Sequence, residues 1–332
     1  TQADQLFAGD IAGVVKLKDT HTGNTLCTGS HVTLPKLDLP SPNIHSAIVS
    51  DSKGDEEKLA IGLATLHEED PTFVYRVDNE VKQTIISGQG ELHLTVTTER
   101  LKRRFGISIG LEKVKVPFRE TITTKGSAKY RHKKQSGGAG QFAEVWMRIE
   151  PKQNGEGIEF TQSLVGQNVD RVFVPSVEKG VKTACLEGIL AGCNVVDVKI
   201  DFYDGKMHPV DSKDIAFQTA GKHAFREAFL AAQPCLLEPI INIKVKVPED
   251  YMGDIMGDIS GKRGKIMGMD SEGGFQLINA QVPQAELHNY ATTVRSLTGG
   301  RGLHSESFSH YEKMPKELEQ KVIQERKTKE DE

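Results

Sequence analysis

From residue 43 onward, apolar and polar positions fall into blocks that predict a βαββαβ order. Residues 44–50 read as a strand. Ser52, Lys53, Gly54 and Asp55 fit a capping box, in which a hydroxyl and an acid satisfy free helix N–H groups. Leu59, Leu63 and Leu66 then share one helical face, and Pro71 ends the element. Residues 73–77 and 81–86 predict a hairpin about Asp78 and Asn79. A second helix over 91–104 sets Leu94, Leu101 and Phe105 on one side, and 107–111 closes the unit. The same rhythm returns after Leu236. There Ile241, Ile243, Val245 and Val247 alternate with Asn242, Lys244 and Lys246, the mark of a half-buried strand. Met252, Ile255, Met256 and Ile259 follow at helical spacing, then a strand over 275–282 and a helix marked by Leu287, Ala291 and Val294. Glu91-Leu92-His93 and Glu286-Leu287-His288 fall at matching places, which predicts two copies of one split-βαβ module.

The stretch between them, 117–235, has another texture. Strands come first, with 143–149 the plainest, interrupted by a glycine-rich turn at 136–140. A helix starts at Pro175, a favoured first-turn residue, and carries Val177, Val181 and Ala184 on one face. A second helix carries Ala216, Ala220, Ala224, Ala228 and Ala232 at a spacing of four, beside Phe217, Gly221, Phe225 and Phe229. A ridge of small residues lets two helices approach closely while the aromatic ridge fills the core. Between these helices a strand over 195–202 and a projecting loop over 203–212 are expected. Residues 1–39 read as short strands (11–17, 31–34) from the end of a β-barrel, followed by the stiff Leu39-Pro40-Ser41-Pro42 linker. The tail, 312–332, reads as a mixed-charge helix or a frayed end.

Charge and composition narrow the picture. In 332 residues, 42 Lys and Arg face 46 Asp and Glu, for a net charge of −4, which argues against whole-body attraction to a polyanion. The charge is nevertheless patterned. Between Thr121 and Phe142 there is no acid, while Lys125, Lys129, Arg131, Lys133 and Lys134 accumulate. Arg100, Lys102, Arg103 and Arg104 form a second cluster, and Lys262, Arg263 and Lys265 a third. No run approaches the roughly 20 apolar residues of a membrane span. Thr1 opens the chain without a Met or a basic-then-apolar leader, so no signal peptide is expected and a cut fragment is. The four cysteines, 27, 185, 193 and 235, lack metal or redox spacing and are expected in core packing, in a reducing compartment.

Among chemical signals, the run Gly138 to Ala143 matches G-x-G-x-x-A in letters but leads into alternating Val145, Met147 and Ile149. A strand connection fits it better than a dinucleotide loop. Around Gly261-Lys262 the P-loop spacing is absent and Arg263 stands where a Ser or Thr would hold Mg²⁺. None of the 11 histidines lies in a zinc or hydrolase motif. His208, with Pro209 in the expected loop, is the exception: a projecting imidazole can donate to phosphate or stack on a base. The plainer reading is a turn with Asp211 or Ser212 capping the alanine-ridge helix. Lys125 to Lys134, followed by Gln135, Ser136, Gly137, Gly138, Ala139, Gly140 and Gln141, is the best nucleic-acid candidate. Glycines let backbone N–H groups reach a phosphate chain and the flanking cations attract it. The alternative is a solvated hairpin with incidental lysines.

Many further motifs occur in one order: Asp19-Thr20-His21-Thr22-Gly23-Asn24, Ser87-Gly88-Gln89-Gly90-Glu91-Leu92-His93-Leu94, Arg119-Glu120-Thr121-Ile122, Gln135-Ser136-Gly137-Gly138, Tyr203-Asp204-Gly205, Leu237-Glu238-Pro239-Ile240, Tyr251-Met252-Gly253-Asp254 and Arg263-Gly264-Lys265-Ile266-Met267-Gly268. Through them the chain resembles the C-terminal part of bacterial elongation factor G, or of a paralogous elongation-factor-G-like protein. The resemblance implies a multi-domain α+β chain. Residues 1–42 would end the domain II β-barrel, 43–116 would be ferredoxin-like domain III, and 117–235 domain IV with a ribosomal-protein-S5-like fold. Ferredoxin-like domain V would span 236–310, with a tail over 311–332.

It further implies a cytoplasmic, monomeric partner of the ribosome (rRNA, the decoding region, tRNA and mRNA). A missing N-terminal domain would bind GTP and Mg²⁺, with no cofactor, metal or catalytic residue in this part. Gln135, Ser136, Gly137, Gly138, Gly140, Gln141, His208 and Pro209 would form the tip of domain IV. Lys129, Arg131, Lys133, Lys134, Lys262, Arg263 and Lys265 would face RNA, and Gly90, Glu91 and His93 would face the GTPase domain. The chain departs from the family pattern at Ala139, which replaces a tip arginine and so removes a forked donor, and at Phe142-Ala143-Glu144 and Trp146. His132-Lys133-Lys134 and Trp146 are more like the paralogue. Translocation of tRNA and mRNA, ribosome recycling, and ribosome protection remain open within the family. Outside it stand a metabolic enzyme using His208 and Asp211 as an acid–base pair, and a free-standing RNA-binding protein.

Overall fold

A computed structural model describes residues 4–27, 32–50, 54–135 and 140–330. The chain divides into two compact units, Thr1–Asp78 with Gln83–Val114, and Asn79–Lys82 with Lys115–Glu332.

In the first unit, β1 (Ile44–Ser50), α1 (Glu56–Glu69), β2 (Val74–Asp78), β3 (Gln83–Gly88), α2 (Glu91–Phe105) and β4 (Ile109–Glu112) follow the expected βαββαβ order. The sheet runs β2-β3-β1-β4 with antiparallel neighbours. Ala47, Ile85 and Ile86 of the sheet are buried with Leu63, Leu66, Leu94 and Leu101 of the helices. The capping box is not realised within the described residues: Asp55 stands at the N-cap of α1 without a side-chain cap bond, and Ser52 and Lys53 lie outside them. Ahead of β1, residues 4–27 and 32–43 contain no strand, so no barrel closes among the described residues. Ile11, Val15 and Leu37 are more than three-quarters exposed. A strand needs a neighbouring ladder for its N–H and C=O groups, and among the described residues none lies beside 11–17.

The second unit opens with β5 (Arg119–Ile122), β6 (Gly126–Lys134), β7 (Gln141–Pro151), β8 (Ile158–Gln162), α3 (Val174–Glu187), β9 (Val198–Lys206) and α4 (Asp214–Ala231). Its sheet runs β6-β7-β9-β8, with only the β8–β9 pair parallel. Ala143, Val145, Met147 and Ile149 of β7 bury against the alanine and phenylalanine ridges of α4. A Cβ at Gly180 would sit 2.1 Å from the Gln218 carbonyl oxygen, so glycine is what lets α3 touch α4. Residues 203–206, expected in a loop, belong to β9. Gly205 is a close-packing glycine there, since a Cβ would meet the Glu144 carbonyl oxygen at 2.3 Å.

The chain continues through β10 (Pro234–Pro248), α5 (Met252–Gly261), β11 (Lys265–Glu272), β12 (Phe275–Pro283), α6 (Tyr290–Leu297), β13 (Leu303–Lys313) and α7 (Lys316–Glu330). The order β11-β12-β10-β13 repeats that of the first unit, which makes the two modules copies of one architecture. The matching letters are not structurally equivalent, however. Glu91 opens α2, whereas Glu286 ends a 3-10 turn and Asn289, at φ 56°, restarts the chain into α6. Leu92 is 76% exposed and Leu287 is 7% exposed.

β10 also pairs with β5 through its first residues, so the central and C-terminal modules share one strand. Their junction is pinned by Glu120, fully buried, whose carboxylate accepts four backbone N–H bonds at 2.7–3.0 Å from Ile189, Leu190, Ala191 and Cys193. The tail is helical, and Leu318, Val322 and Ile323 of α7 pack on Ala191, Cys193, Leu236 and Met314. Burial pushes the thiols of Cys185 and Cys193 up to about 12. Cys27, expected in a core, is exposed.

Candidate nucleic-acid interface

Topology brings the two expected tip segments together. β7 pairs antiparallel with both β6 and β9, so the end of β6, the start of β7 and the C-terminal end of β9 lie at one edge of the sheet. The register places Lys134 opposite Gln141 and Lys206 opposite Glu144. The loop after β9, residues 207–213, then folds onto the start of β7.

Three hydrogen bonds latch the segments. The Gly140 N–H donates to Asp211 Oδ1 at 3.1 Å, and the Phe142 N–H donates to the Asp211 carbonyl at 2.9 Å. The Ser212 hydroxyl donates to the Phe142 carbonyl at 2.8 Å. A Cβ on Gly140 would press on the Asp211 carboxyl group at 3.1–3.2 Å. Asp211 and Ser212 therefore bridge two loops and do not cap α4, whose N-cap is Lys213 without a side-chain bond.

His208 sits within this latch. Its Nδ1 accepts the N–H groups of Val210 and Asp211 at 3.3 and 3.2 Å, which leaves the proton of the neutral ring on Nε2. The side chain is 51% exposed and lies edge-on to Phe142 at 6.3 Å. The Asp211 carboxylate accepts from Gly140 through Oδ1, and its Oδ2 lies 3.5 Å from His208 Nδ1, so both side chains are built into the turn. Pro209 and Val210 are exposed beside it. Gln135 is exposed and Gln141 bonds His132 Nε2 at 3.1 Å. Ser136, Gly137, Gly138 and Ala139 lie outside the described residues.

The expected RNA-facing cations separate into kinds. Lys129, Arg131, Lys133 and Lys134 are exposed on β6. Lys129 Nζ stands 5.6 Å over the Trp146 ring, and Arg131 Nε bonds the Glu144 carboxylate. Burial alone would push the Glu144 carboxyl up, yet the donors Trp146 Nε1 and Arg131 hold it below its ordinary value. Lys262 pairs with Asp258 at 3.8 Å, and Lys265 is bonded to Glu312 at 3.0 Å. Arg263 is turned inward. It forms a two-pronged bridge to the buried Glu238 at 2.7 and 2.9 Å and a third bond to Glu286 at 3.1 Å. Its fork closes the C-terminal module, a placement at odds with an RNA-facing role.

In the first unit, Gly90 precedes α2 and Glu91 is exposed at its start. His93 points inward: Nδ1 accepts the Gln89 N–H at 3.1 Å, Nε2 reaches Asp70 Oδ2 at 3.1 Å, and the side chain is 20% exposed. For the Asp70 carboxyl, burial pushes upward, but bonds from the Thr72 hydroxyl and N–H, with His93 beside them, hold it below its ordinary value. The imidazole thus braces the β3–α2 corner. Among the described residues, no group of three or more His, Cys, Asp or Glu side chains could hold a metal ion, and no helix is long and apolar enough to cross a membrane.

Two βαββαβ modules, the second strand-linked to an intervening α/β module with a latched loop pair, define a multi-domain α+β protein. Family models agree with that division: elongation factor G domain III matches residues 39–113, domain IV residues 114–233, and the elongation factor G C-terminus residues 235–322. The chain belongs to the elongation factor G family. It is also similar to a crystal structure of the protein ttk003000868 from Thermus thermophilus, with a TM-score of 0.77 and 38% identity over 89% of this chain; it spans 44% of that protein's length.

Proposed function

We propose that this chain is the ribosome-binding part of an elongation-factor-G-type translational GTPase. On this reading the parent promotes GTP-dependent movement of tRNA and mRNA. GTP and Mg²⁺ are held by its N-terminal domain, while this part neither binds nor hydrolyses the nucleotide. It acts in the cytoplasm as a monomer, and residues 43–116, 117–235 and 236–310 work as domains III, IV and V. The observation that supports it best is the latch. Asp211 and Ser212 bind Gly140 and Phe142, where β7 starts, to the His208 loop, so that an imidazole N–H donor and the Lys133 and Lys134 ammonium groups share one end of the sheet. Donors of that kind position a phosphate backbone.

Pelleting of the chain with 70S ribosomes tests the reading. Replacing Lys133, Lys134 and His208 together by alanine should weaken binding and flatten its salt dependence by about one unit of log–log slope per lysine removed. Unchanged affinity at moderate salt would refute it. A second reading, a G-like paralogue serving ribosome recycling or protection, is favoured by Trp146 and by His132-Lys133-Lys134. Complementation of a translocase-deficient strain by the full-length parent separates the two.

A further inference from the structure

Beside the latched loops lies an aromatic surface that the proposed function leaves unused. Along β7 the side chains of Val145 and Met147 bury against α4, so Trp146 between them points to the opposite face of the sheet. It is partly exposed there and meets Tyr203 of β9 edge-on at 6.2 Å. The indole is oriented by its own bond from Nε1 to Glu144 Oε1 at 2.8 Å. Cations cover both rings: Lys129 Nζ stands 5.6 Å over Trp146, and the Arg148 guanidinium carbon 5.4 Å over Tyr203.

On this face Glu144 is matched by Arg131, Asp201 by Arg148 and Glu150 by Lys125, while Asp204, opposite Trp146, accepts from Asn168 and the Gly205 N–H. Lys129 and Lys133 have no carboxylate partner among the described residues, and β6 itself carries no acid. Lys129 and Lys133 lie on one face of that strand about 13 Å apart, with Arg131 between them held by Glu144. Core packing explains none of this, because the core lies on the other face.

We propose that the outer face of the β6-β7-β9-β8 sheet is a stacking platform for single-stranded RNA, with one unpaired base laid on Trp146, an adjoining phosphate on Lys129 and a phosphate further along the strand on Lys133. Base–aromatic stacking tolerates any base and combines with a cationic track along the backbone. The Lys129 ammonium already on the indole marks a face that accepts a flat or cationic partner. When a base takes its place, the ammonium moves to a neighbouring phosphate, so its charge is exchanged and not lost. The proposal rests on the RNA-facing reading of this module and adds to it a second contact surface beside the loops.

Trp146 is the single tryptophan of the chain, so its emission reports on the site. The probe is a fluorescein-labelled 12-nucleotide oligoadenylate titrated with the whole chain at low salt, followed by anisotropy; in parallel, unlabelled oligoadenylate is titrated into the chain and Trp146 emission is read. The proposal expects quenching that tracks binding. It also expects W146L to weaken affinity about five-fold or more with an unchanged salt slope, and W146F, which keeps a ring, to stay within about two-fold of the wild type. Binding without quenching and unaltered in W146L overturns the platform and leaves the loop assignment standing. Absence of any RNA binding also overturns it. Ribosome pelleting of a variant in which only Lys134 and His208 are replaced by alanine, leaving the platform residues intact, scores the proposed function independently.

Discussion

Glu120→Gln isolates the junction of the central and C-terminal modules without changing its volume. In the wild type, Oε2 accepts the N–H groups of Ile189 and Leu190, and Oε1 those of Ala191 and Cys193. The amide keeps one oxygen and turns the other into a donor, so two buried N–H groups lose their acceptor and face another donor. Each orphaned buried donor costs about 1–3 kcal/mol, which gives about 2–6 kcal/mol for the pair. In a unit of this size each kcal/mol shifts the melting temperature by about 2–4 °C, so scanning calorimetry should show a fall on the order of 5–20 °C. Amide exchange at Ile189, Leu190, Ala191 and Cys193 should accelerate before the rest of the unit opens. The first unit, which does not contain Glu120, should melt as before. A Glu120→Gln protein that melts within about one degree of the wild type, with those amides still protected, would refute the pin.

Other consequences are as specific. Asp211→Ala removes the acceptor of the Gly140 N–H, a bond worth about 1 kcal/mol at this partly exposed site, so Gly140 exchange should rise roughly five-fold while the core of β7 is unaffected; unchanged protection would contradict the latch. Gly180→Ala drives a methyl group into the Gln218 carbonyl, and the overpacking should cost about 3 kcal/mol, measured by urea unfolding; a neutral result would place α3 and α4 farther apart than the structure has them. The Asp70 carboxyl lies below its ordinary value when folded. Its contribution is therefore present above the unfolded carboxylate range and is lost as pH falls through the folded value. Asp70→Asn should destabilise the first unit near neutral pH, with the difference from wild type shrinking as pH falls through the folded value; a pH-independent difference would mean that the charge is irrelevant.

Much of this architecture can be read from residue spacing because burial imposes it. The four-residue alanine ridge of α4 and the alternation from Ile241 to Val247 are direct imprints of one buried face, and both stand as expected. Residues whose meaning depends on a distant partner are less legible. Gly205 looks like a turn signal but lies in β9, where the Glu144 carbonyl leaves no room for a Cβ. Arg263 belongs to a run of cations, yet Glu238 and Glu286, far away in sequence, fold onto it. Asp211 looks like a helix cap until the sheet order brings Gly140 within reach. Glu120 stands in a recognisable motif, but nothing in its neighbourhood along the chain points to the loop that it holds. At the candidate interface, residue types are legible and their pairing is not, because hydrogen-bond partners some 70 positions apart leave no periodic trace.

Directed hydroxyl-radical cleavage puts the central claim to its most direct test. An iron chelate is tethered to the cysteine of Pro209→Cys, in a chain whose exposed Cys27 is replaced by serine, and the labelled protein is bound to 70S ribosomes. If the latched loops are the end that reaches RNA, strand breaks should appear in the small-subunit rRNA around the decoding region and disappear when Lys133, Lys134 and His208 are replaced. Breaks confined to other rRNA, or none from a protein that still pellets with ribosomes, would contradict it.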